Sequence, residues 1–293
     1  MPIDSSKVGI VGEPVVHEID ARWTMAYAAG LGDTLPCYLD TLRPQGAVAH
    51  PLFPVCVEWP VMVELARMLS QASLTAEESV RGVHATHDLI VHRAIRAGDR
   101  LTTRVTIAGI ERRKPGAYLT VRLDTTDAAG KPVCETFEGR IYRGVDVIGP
   151  DRPATGCPTI PASKRADGAA RAEIAIPVSA VAAHVYTECA RIWNPVHTDA
   201  AVAAAAELPA IILHGTATLA LAISRIVEAE AGNDPERVAR AAGRFAAMVM
   251  MPSEIKLRIQ SRETIGGVDG IFFEVLNAQG QPAIRDGFAA LRA

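Results

Sequence analysis

The chain has 293 residues, 49% of them hydrophobic and 22% charged, a composition typical of a globular protein with a large core. Its formal net charge of -3 excludes the strongly basic surface that nucleic-acid-binding proteins present to phosphates. No apolar run reaches the roughly 20 residues of a membrane helix, and the opening MPIDSSKVGIVGEP lacks the pattern of a secretory signal. Five scattered cysteines without a CxxC pair favour reduced thiols. We therefore expect a cytoplasmic protein that binds neither nucleic acid nor membrane.

The predicted elements of the first half are helices followed by strands. Asp20 precedes a helical pattern as an N-cap. Residues 58–72 predict an amphipathic helix with Pro60 in its first turn. Alternating apolar residues over 101–107 predict a strand, and 127–131 predict the turn of a following hairpin. The first half is therefore predicted to form helices followed by an antiparallel meander.

A segment rich in proline and glycine, 147–173, separates the two halves and predicts a linker, with the boundary near residue 160. Beyond it, Ser179 takes the N-cap place, an apolar stripe predicts a long helix, and 277–281 predict a hairpin turn between strands. We therefore expect a first domain over 1–146 and a second over 174–293.

The two halves repeat the same landmarks in the same order, which indicates an internal duplication. The matched pairs are Tyr27 and Tyr186, Pro36 and Pro195, His50-Pro51 and His214-Gly215, and the turns at 127–131 and 277–281. The expected fold class is accordingly α+β, with two copies of one plan forming a pseudo-dimer.

The stretch from Tyr186 to Gly215 carries the best chemical signal. Asn194 and Pro195 break a helix, His197 follows two residues later, and Gly215 opens the predicted long helix. A helix N-terminus offers free amides and favours negative charge. A histidine beside such an amide suits proton transfer next to a carbonyl that becomes an enolate.

These residues resemble a known family. NPVHTD, an alanine-rich helix and then ILHGTAT are similar to the signature of the MaoC-like dehydratases, the (R)-specific enoyl-CoA hydratases. The resemblance implies two tandem hotdog domains, each a long helix wrapped by an antiparallel sheet. It implies reversible hydration of an enoyl thioester, with an acyl-CoA as the substrate and no cofactor. In this interpretation the first half, with its incomplete site, shapes the acyl pocket, and the chain forms a homodimer.

The resemblance also implies roles for individual residues. His197 would transfer the proton and the Gly215 amide would hold the thioester oxygen. The candidate substrate contacts are Asn194, His214, Arg191 and Asp33. The Arg191 guanidinium is suited to a carboxylate.

One position departs from the family pattern. The acidic partner of the histidine is replaced by Ile192, whereas the first half keeps Asp33 but has Tyr38 in place of the histidine. Glu188, one helical turn before Ile192, is a candidate substitute acid, and Asp33 reaching His197 across the pseudo-two-fold axis is another. A hotdog thioesterase and an acyl-CoA-binding protein without activity stay open as alternatives.

Other polar residues have plainer interpretations. His84 and His87 are expected to face the surface of a sheet, and because the sequence offers them no third ligand we expect no metal. Glu58 is explained by the dipole at a helix start.

Overall fold

The computed structural model describes residues 2–72, 74–75, 78, 81–163 and 170–293. Within these ranges, no helix combines the length and the apolar character that crossing a bilayer requires.

Six helices and twelve strands make up the described chain. The helices are α1 (Ala21–Gly30), α2 (Pro36–Leu39), α3 (Pro54–Ala72), α4 (Ala182–Ala190), α5 (Ala200–Ala205) and α6 (Gly215–Glu230). The strands of the first half are β1 (Ile3–Asp4), β2 (Val15–Glu18), β3 (Gly82–Val91), β4 (Arg100–Arg113), β5 (Gly116–Thr126), β6 (Pro132–Arg143) and β7 (Val147–Ile148). Those of the second half are β8 (Ala172–Val178), β9 (Val238–Phe245), β10 (Ser253–Ile265), β11 (Val268–Leu276) and β12 (Pro282–Leu291).

Ten strands form a single sheet in the order β2-β4-β5-β6-β3-β9-β12-β11-β10-β8. The first five come from the first half and the last five from the second. All pairings within this sheet are antiparallel, and β3 and β9 form the seam between the halves. The predicted hairpin turns at 127–131 and 277–281 lie between β5 and β6 and between β11 and β12. The fold is a double hotdog of the α+β class, as predicted.

The long helices α3 and α6 pack on one face of this sheet, called the inner face below. One apolar core joins α3 residues such as Cys56, α6 residues such as Ile223, and strand residues on both sides of the seam, among them Leu89 and Ala241. Burial of this shared core packs the two halves against each other, while a second core cluster, which includes Val61 and Ile107, lies within the first half alone.

Some helix starts differ from the prediction. The Asp20 side chain accepts a hydrogen bond from Trp23 N at 2.7 Å, as expected of an N-cap. The N-cap of α4, however, is Val181 without a side-chain bond, so the expectation for Ser179 is wrong. Pro60 lies inside α3 rather than in its first turn, since that helix already begins at Pro54.

The linker is more structured than its composition suggests. Val147 and Ile148 form β7, which pairs in parallel with β1, and Ala172 already belongs to β8. Between them, the carbonyl oxygens of Pro158 and Thr159 accept hydrogen bonds from Arg240. Residues 164–169 of the predicted linker lie outside the described residues. The described linker therefore crosses the outer face of the sheet at the seam.

Candidate active site

Helices α1 and α4 meet at the pseudo-two-fold axis. The hydroxyl oxygens of Tyr27 and Tyr186 lie 3.3 Å apart. Tyr27 donates to the carbonyl of Leu52 at 3.2 Å, and Tyr186 donates to the hydroxyl of Thr216 at 3.1 Å. The two tyrosines therefore fix the starts of α3 and α6 relative to each other.

His197 lies at the end of a short 3₁₀ turn that Pro195 begins. Its Nδ1 is 2.9 Å from the carbonyl oxygen of Ile212. Because a carbonyl only accepts, Nδ1 must carry the proton and Nε2 keeps its lone pair. Burial lowers the pKa of His197 below its ordinary value, so the ring is neutral near pH 7 and can act as a base.

The ring of His197 stacks on that of His214 with 3.7 Å between centroids. His214 is buried, and its Nε2 lies 3.3 Å from the hydroxyl of Thr187. Burial, and then the neighbouring His197, holds the pKa of His214 well below its ordinary value. His214 is thus a neutral platform that orients His197.

Gly215 is the first residue of α6, directly after His214. Its amide has no acceptor within the helix, as is general for a first turn, and the helix dipole adds positive potential there. A Cβ placed on Gly215 would lie 3.1 Å from the ring of Phe245. Glycine therefore lets the ring of Phe245 approach closely and form one wall beside the free amide.

Ile192 replaces the acid of the family pattern inside the apolar core. Its side chain is 5% exposed and packs in the same cluster as Tyr186 and Leu213. The backbone amide of Ile192 donates to the carbonyl of Thr187 at 3.1 Å. The side chain at position 192 is therefore an apolar part of the site wall that can neither donate nor accept a proton.

Three polar residues close to Ile192 in sequence make their contacts elsewhere. Glu188 is exposed and accepts from Trp193 Nε1 at 3.5 Å. Arg191 places its guanidinium 4.1 Å from the centre of the Trp23 ring. The side-chain oxygen of Asn194 accepts a hydrogen bond from the amide of Val196 at 3.4 Å. In this structure Asn194 shapes the turn, and the expectation that Glu188 reaches the site as an acid finds no contact to support it.

Asp33 does not join His197. It is fully buried beside Tyr38, where burial and then the charge of Asp33 raise the pKa of the phenol. Cys37, the neighbour of Tyr38 on α2, contacts the carbonyl of Asn233, beyond the C-terminal end of α6. His197 lies at the N-terminal end of that helix, whose 16 residues span about 24 Å. The interpretation in which Asp33 completes the His197 site is therefore wrong.

The equivalent position in the first half lacks the same chemistry. His50 corresponds to His214, and its Nε2 lies 3.1 Å from the hydroxyl of Ser224. Burial lowers its pKa to about 3. Pro51 stands where the second half has Gly215, and proline has no amide proton to donate. The first half therefore offers no oxyanion donor at this place.

Sequence reasoning missed a polar cluster on the inner face of β3 and β6. His84 Nε2 lies 3.8 Å from Glu138 Oε2, and Arg140 Nε donates to Glu138 Oε1 at 2.5 Å. Burial alone would raise the pKa of Glu138, but Arg140 and the histidines lower it to about 2. His87 is 1% exposed with both ring nitrogens unpartnered. The expectation that these histidines face a sheet surface is wrong, because a bulge between His84 and Thr86 turns both inward.

The cluster includes a potential metal-ligand set. One ligand atom from each of His84, His87 and Glu138 lies within 4.8 Å of the others. Because Glu138 comes from another strand, only the register of β3 on β6 could have revealed this third group.

Comparison with known proteins gives a family match in each half. Residues 162–279 match the MaoC like domain, and residues 6–136 match the FAS1-like dehydratase domain region. A UPF0336 protein of Saccharopolyspora erythraea is 29% identical over 150 residues, which cover 49% of this chain and 94% of that protein.

Solved structures share the fold over nearly the full chain. A MaoC-like dehydratase from Phytophthora capsici superposes with a TM-score of 0.83 at 18% identity, covering 99% of this chain and 98% of that one. A Mycobacterium tuberculosis protein described as a double hotdog gives a TM-score of 0.62 at 18% identity, covering 97% and 96% of the two chains. At such identities the likeness concerns the fold.

Proposed function

We propose, for this double-hotdog chain with a MaoC-like domain in its second half, that it adds water reversibly to an enoyl thioester, with coenzyme A as the thiol. The observation that carries the proposal is which ring nitrogen of His197 holds the proton. Its Nδ1 proton is committed to Ile212, so Nε2 is free to accept a proton beside the open end of α6.

The proposed reaction uses two groups of this chain. The Gly215 amide donates to the thioester oxygen, which becomes negative as water adds to the β-carbon and the enolate forms. His197 Nε2 removes a proton from the attacking water and afterwards returns it to the α-carbon. Oxygen, proton and charge therefore balance without a cofactor.

Ile192 favours a second candidate function. An apolar residue where the family has an acid leaves one proton-handling group, which suits a protein that binds acyl-CoA without turnover. A thioesterase would use the same oxyanion donor but release free CoA.

The three candidates give different products. Crotonyl-CoA is incubated with the protein while the conjugated double bond and free thiol are followed separately. Hydration removes the double bond without releasing thiol, a thioesterase releases thiol, and a binding protein does neither. We expect the first outcome.

His197→Gln tests the proton-transfer role. Because general acid-base catalysis contributes about 10²–10⁴-fold, kcat should fall by that factor while acyl-CoA binding persists. His92→Gln is the matched control, since His92 lies just after the last residue of β3 and pairs with Glu135. Near-normal turnover by His197→Gln would contradict the assignment.

A further inference from the structure

The polar cluster on the inner face lies in the first half, beside the seam. His87 pairs in register with Glu138 on β6 and with Gly243 across the seam. Farther along the seam, the inner-face residues of the second half are alanines such as Ala241 and Ala289. Four polar residues, His84, His87, Glu138 and Arg140, are here named the inner-face cluster. Hydrophobic packing does not explain them, because burying polar groups without need costs stability.

This cluster is adjacent to the candidate active site. The Phe245 ring packs edge-on against His84 with 4.8 Å between centroids. The same ring stands within 3.2 Å of a Cβ placed on Gly215. Only the width of one aromatic ring therefore separates the oxyanion donor from the cluster. An acyl chain extending from a thioester at Gly215 along Phe245 would reach the cluster.

The cluster has hydrogen-bonding capacity left over. His87 is buried with both nitrogens unpartnered, and a neutral imidazole offers one donor and one acceptor. Arg140 has five N–H donors, of which Nε contacts Glu138 and another serves Tyr142. Its side chain keeps 20% exposure, and the remaining N–H groups have no hydrogen-bond partner among the described residues.

The free donors of the cluster, rather than its net charge, favour an oxygen acceptor over a cation, because the charges of Glu138 and Arg140 cancel. Arg140 holds Glu138 Oε1 at 2.5 Å, so a divalent ion on the same carboxylate would be repelled by the guanidinium. A carboxylate, by contrast, finds the free Arg140 donors in the fork geometry that suits it and His87 as a further donor.

We propose that the inner-face cluster binds a carboxylate at the far end of the acyl group, so that the preferred thioesters are CoA monoesters of dicarboxylic acids. This inference rests on the proposed function, since it places the thioester at Gly215. Arg140 provides the charge-assisted contact, and His87 completes the hydrogen bonds.

Matched substrates test the proposal. Trans-2-hexenoyl-CoA and trans-2-hexenedioyl-CoA differ only in a terminal methyl against a carboxylate, as do crotonyl-CoA and fumaryl-CoA. The wild type should turn over one carboxylated member at least 10-fold better in kcat/KM than its neutral partner. Equal or opposite preference at both lengths would overturn the proposal.

Variants locate the effect. Arg140→Gln should lower kcat/KM for the carboxylated thioester at least 10-fold and leave the neutral one within 3-fold, and Arg140→Lys should recover part of the loss. Arg104→Gln, an exposed arginine on β4, is the control. If Arg140→Gln does not fold because Glu138 is left unpaired, the double variant Glu138→Gln/Arg140→Gln replaces it. An equal loss on both substrates would overturn the role of Arg140.

Binding separates this proposal from the proposed reaction. Calorimetric titration with adipoyl-CoA and hexanoyl-CoA, and with succinyl-CoA and butyryl-CoA, requires no turnover. Tighter binding of a carboxylated member, lost in Arg140→Gln, would support the subsite even if no enoyl-CoA were hydrated. Stoichiometric metal in the purified protein that disappears in His87→Gln would overturn the proposal and make the cluster a metal site.

Discussion

Glu58 is an acid kept in an apolar environment. Its side chain is buried in α3, and its Oε1 accepts from the hydroxyl of Thr136 at 2.5 Å. Burial raises its pKa from 4.5 to about 8. The dipole of a helix start is therefore a wrong explanation for Glu58, since it lies within the helix and faces the sheet.

The Glu58 shift has a consequence for stability against pH. Between pH 4.5 and 8 the folded protein keeps this proton and the unfolded chain loses it, so the free energy of unfolding falls as pH rises, by at most about 1.4 kcal/mol per pH unit. In Glu58→Gln this contribution is absent. Urea unfolding from pH 5 to 8.5 checks the difference in slope, and parallel curves for both proteins would contradict the assigned pKa.

Restoring the acid at position 192 tests what the site requires. In Ile192→Asp a carboxylate enters the apolar cluster of Tyr186 and Leu213, so we expect a loss of about 1–3 kcal/mol for an unsatisfied buried polar group. We expect hydration of the preferred thioester to fall as well, because the apolar wall is lost. Urea unfolding and initial rates measure both effects. Higher activity on simple enoyl-CoAs would instead indicate a hydratase that had lost its acid.

At the scale of elements, the crossing of α1 and α4 depends on one small residue. A Cβ on Gly30 would lie 2.8 Å from the Cβ of Cys189, closer than two carbons pack. Gly30→Leu should therefore push the helices apart and cost about 1–3 kcal/mol, as overpacking does. Ala29→Leu, at an exposed neighbouring position, is the control. Equal unfolding midpoints for the two variants would show that the crossing tolerates a larger spacing.

The sequence predicted elements better than contacts. The Asp20 cap and both hairpin turns follow from local chemistry, so they were predicted from a few adjacent residues. The start of α3 at Pro54 was not, because the preceding residues carry no cap signal. His84 and His87 were misplaced because a bulge reverses which face a residue occupies. His197 contacts a backbone carbonyl and a histidine ring, and the sequence motif predicts neither contact.

At the scale of the molecule, a partly buried ion pair joins the two strands of the seam. Arg240 on β9 binds Asp88 on β3 through both guanidinium branches, at 2.7 and 2.6 Å. The side chains of the pair are only 14% and 11% exposed. The linker carbonyls at residues 158 and 159 accept from the same arginine. Arg240 therefore links the two halves of the sheet and the linker.

Removing one partner of this pair should destabilise the whole chain. Arg240→Met leaves Asp88 buried without its counter-charge, which costs about 3–5 kcal/mol for a buried pair. Asp88→Leu/Arg240→Met should recover much of that loss, because no uncompensated charge remains. Urea unfolding followed by far-UV circular dichroism and by tryptophan fluorescence gives both values. A single coincident transition is expected, and separate transitions would mean that the halves unfold independently.

The covalent joining of the halves has a consequence for inheritance. In an assembly of two identical chains, a substitution at one site is necessarily made at both. In this chain each position is encoded once, so equivalent positions of the two halves can differ. Pro51 in the first half corresponds to Gly215 in the second, and Asp33 corresponds to Ile192. A mutation in one half is therefore not imposed on the other. The two halves can diverge separately, so that one keeps the residues proposed for catalysis and the other those proposed for recognition.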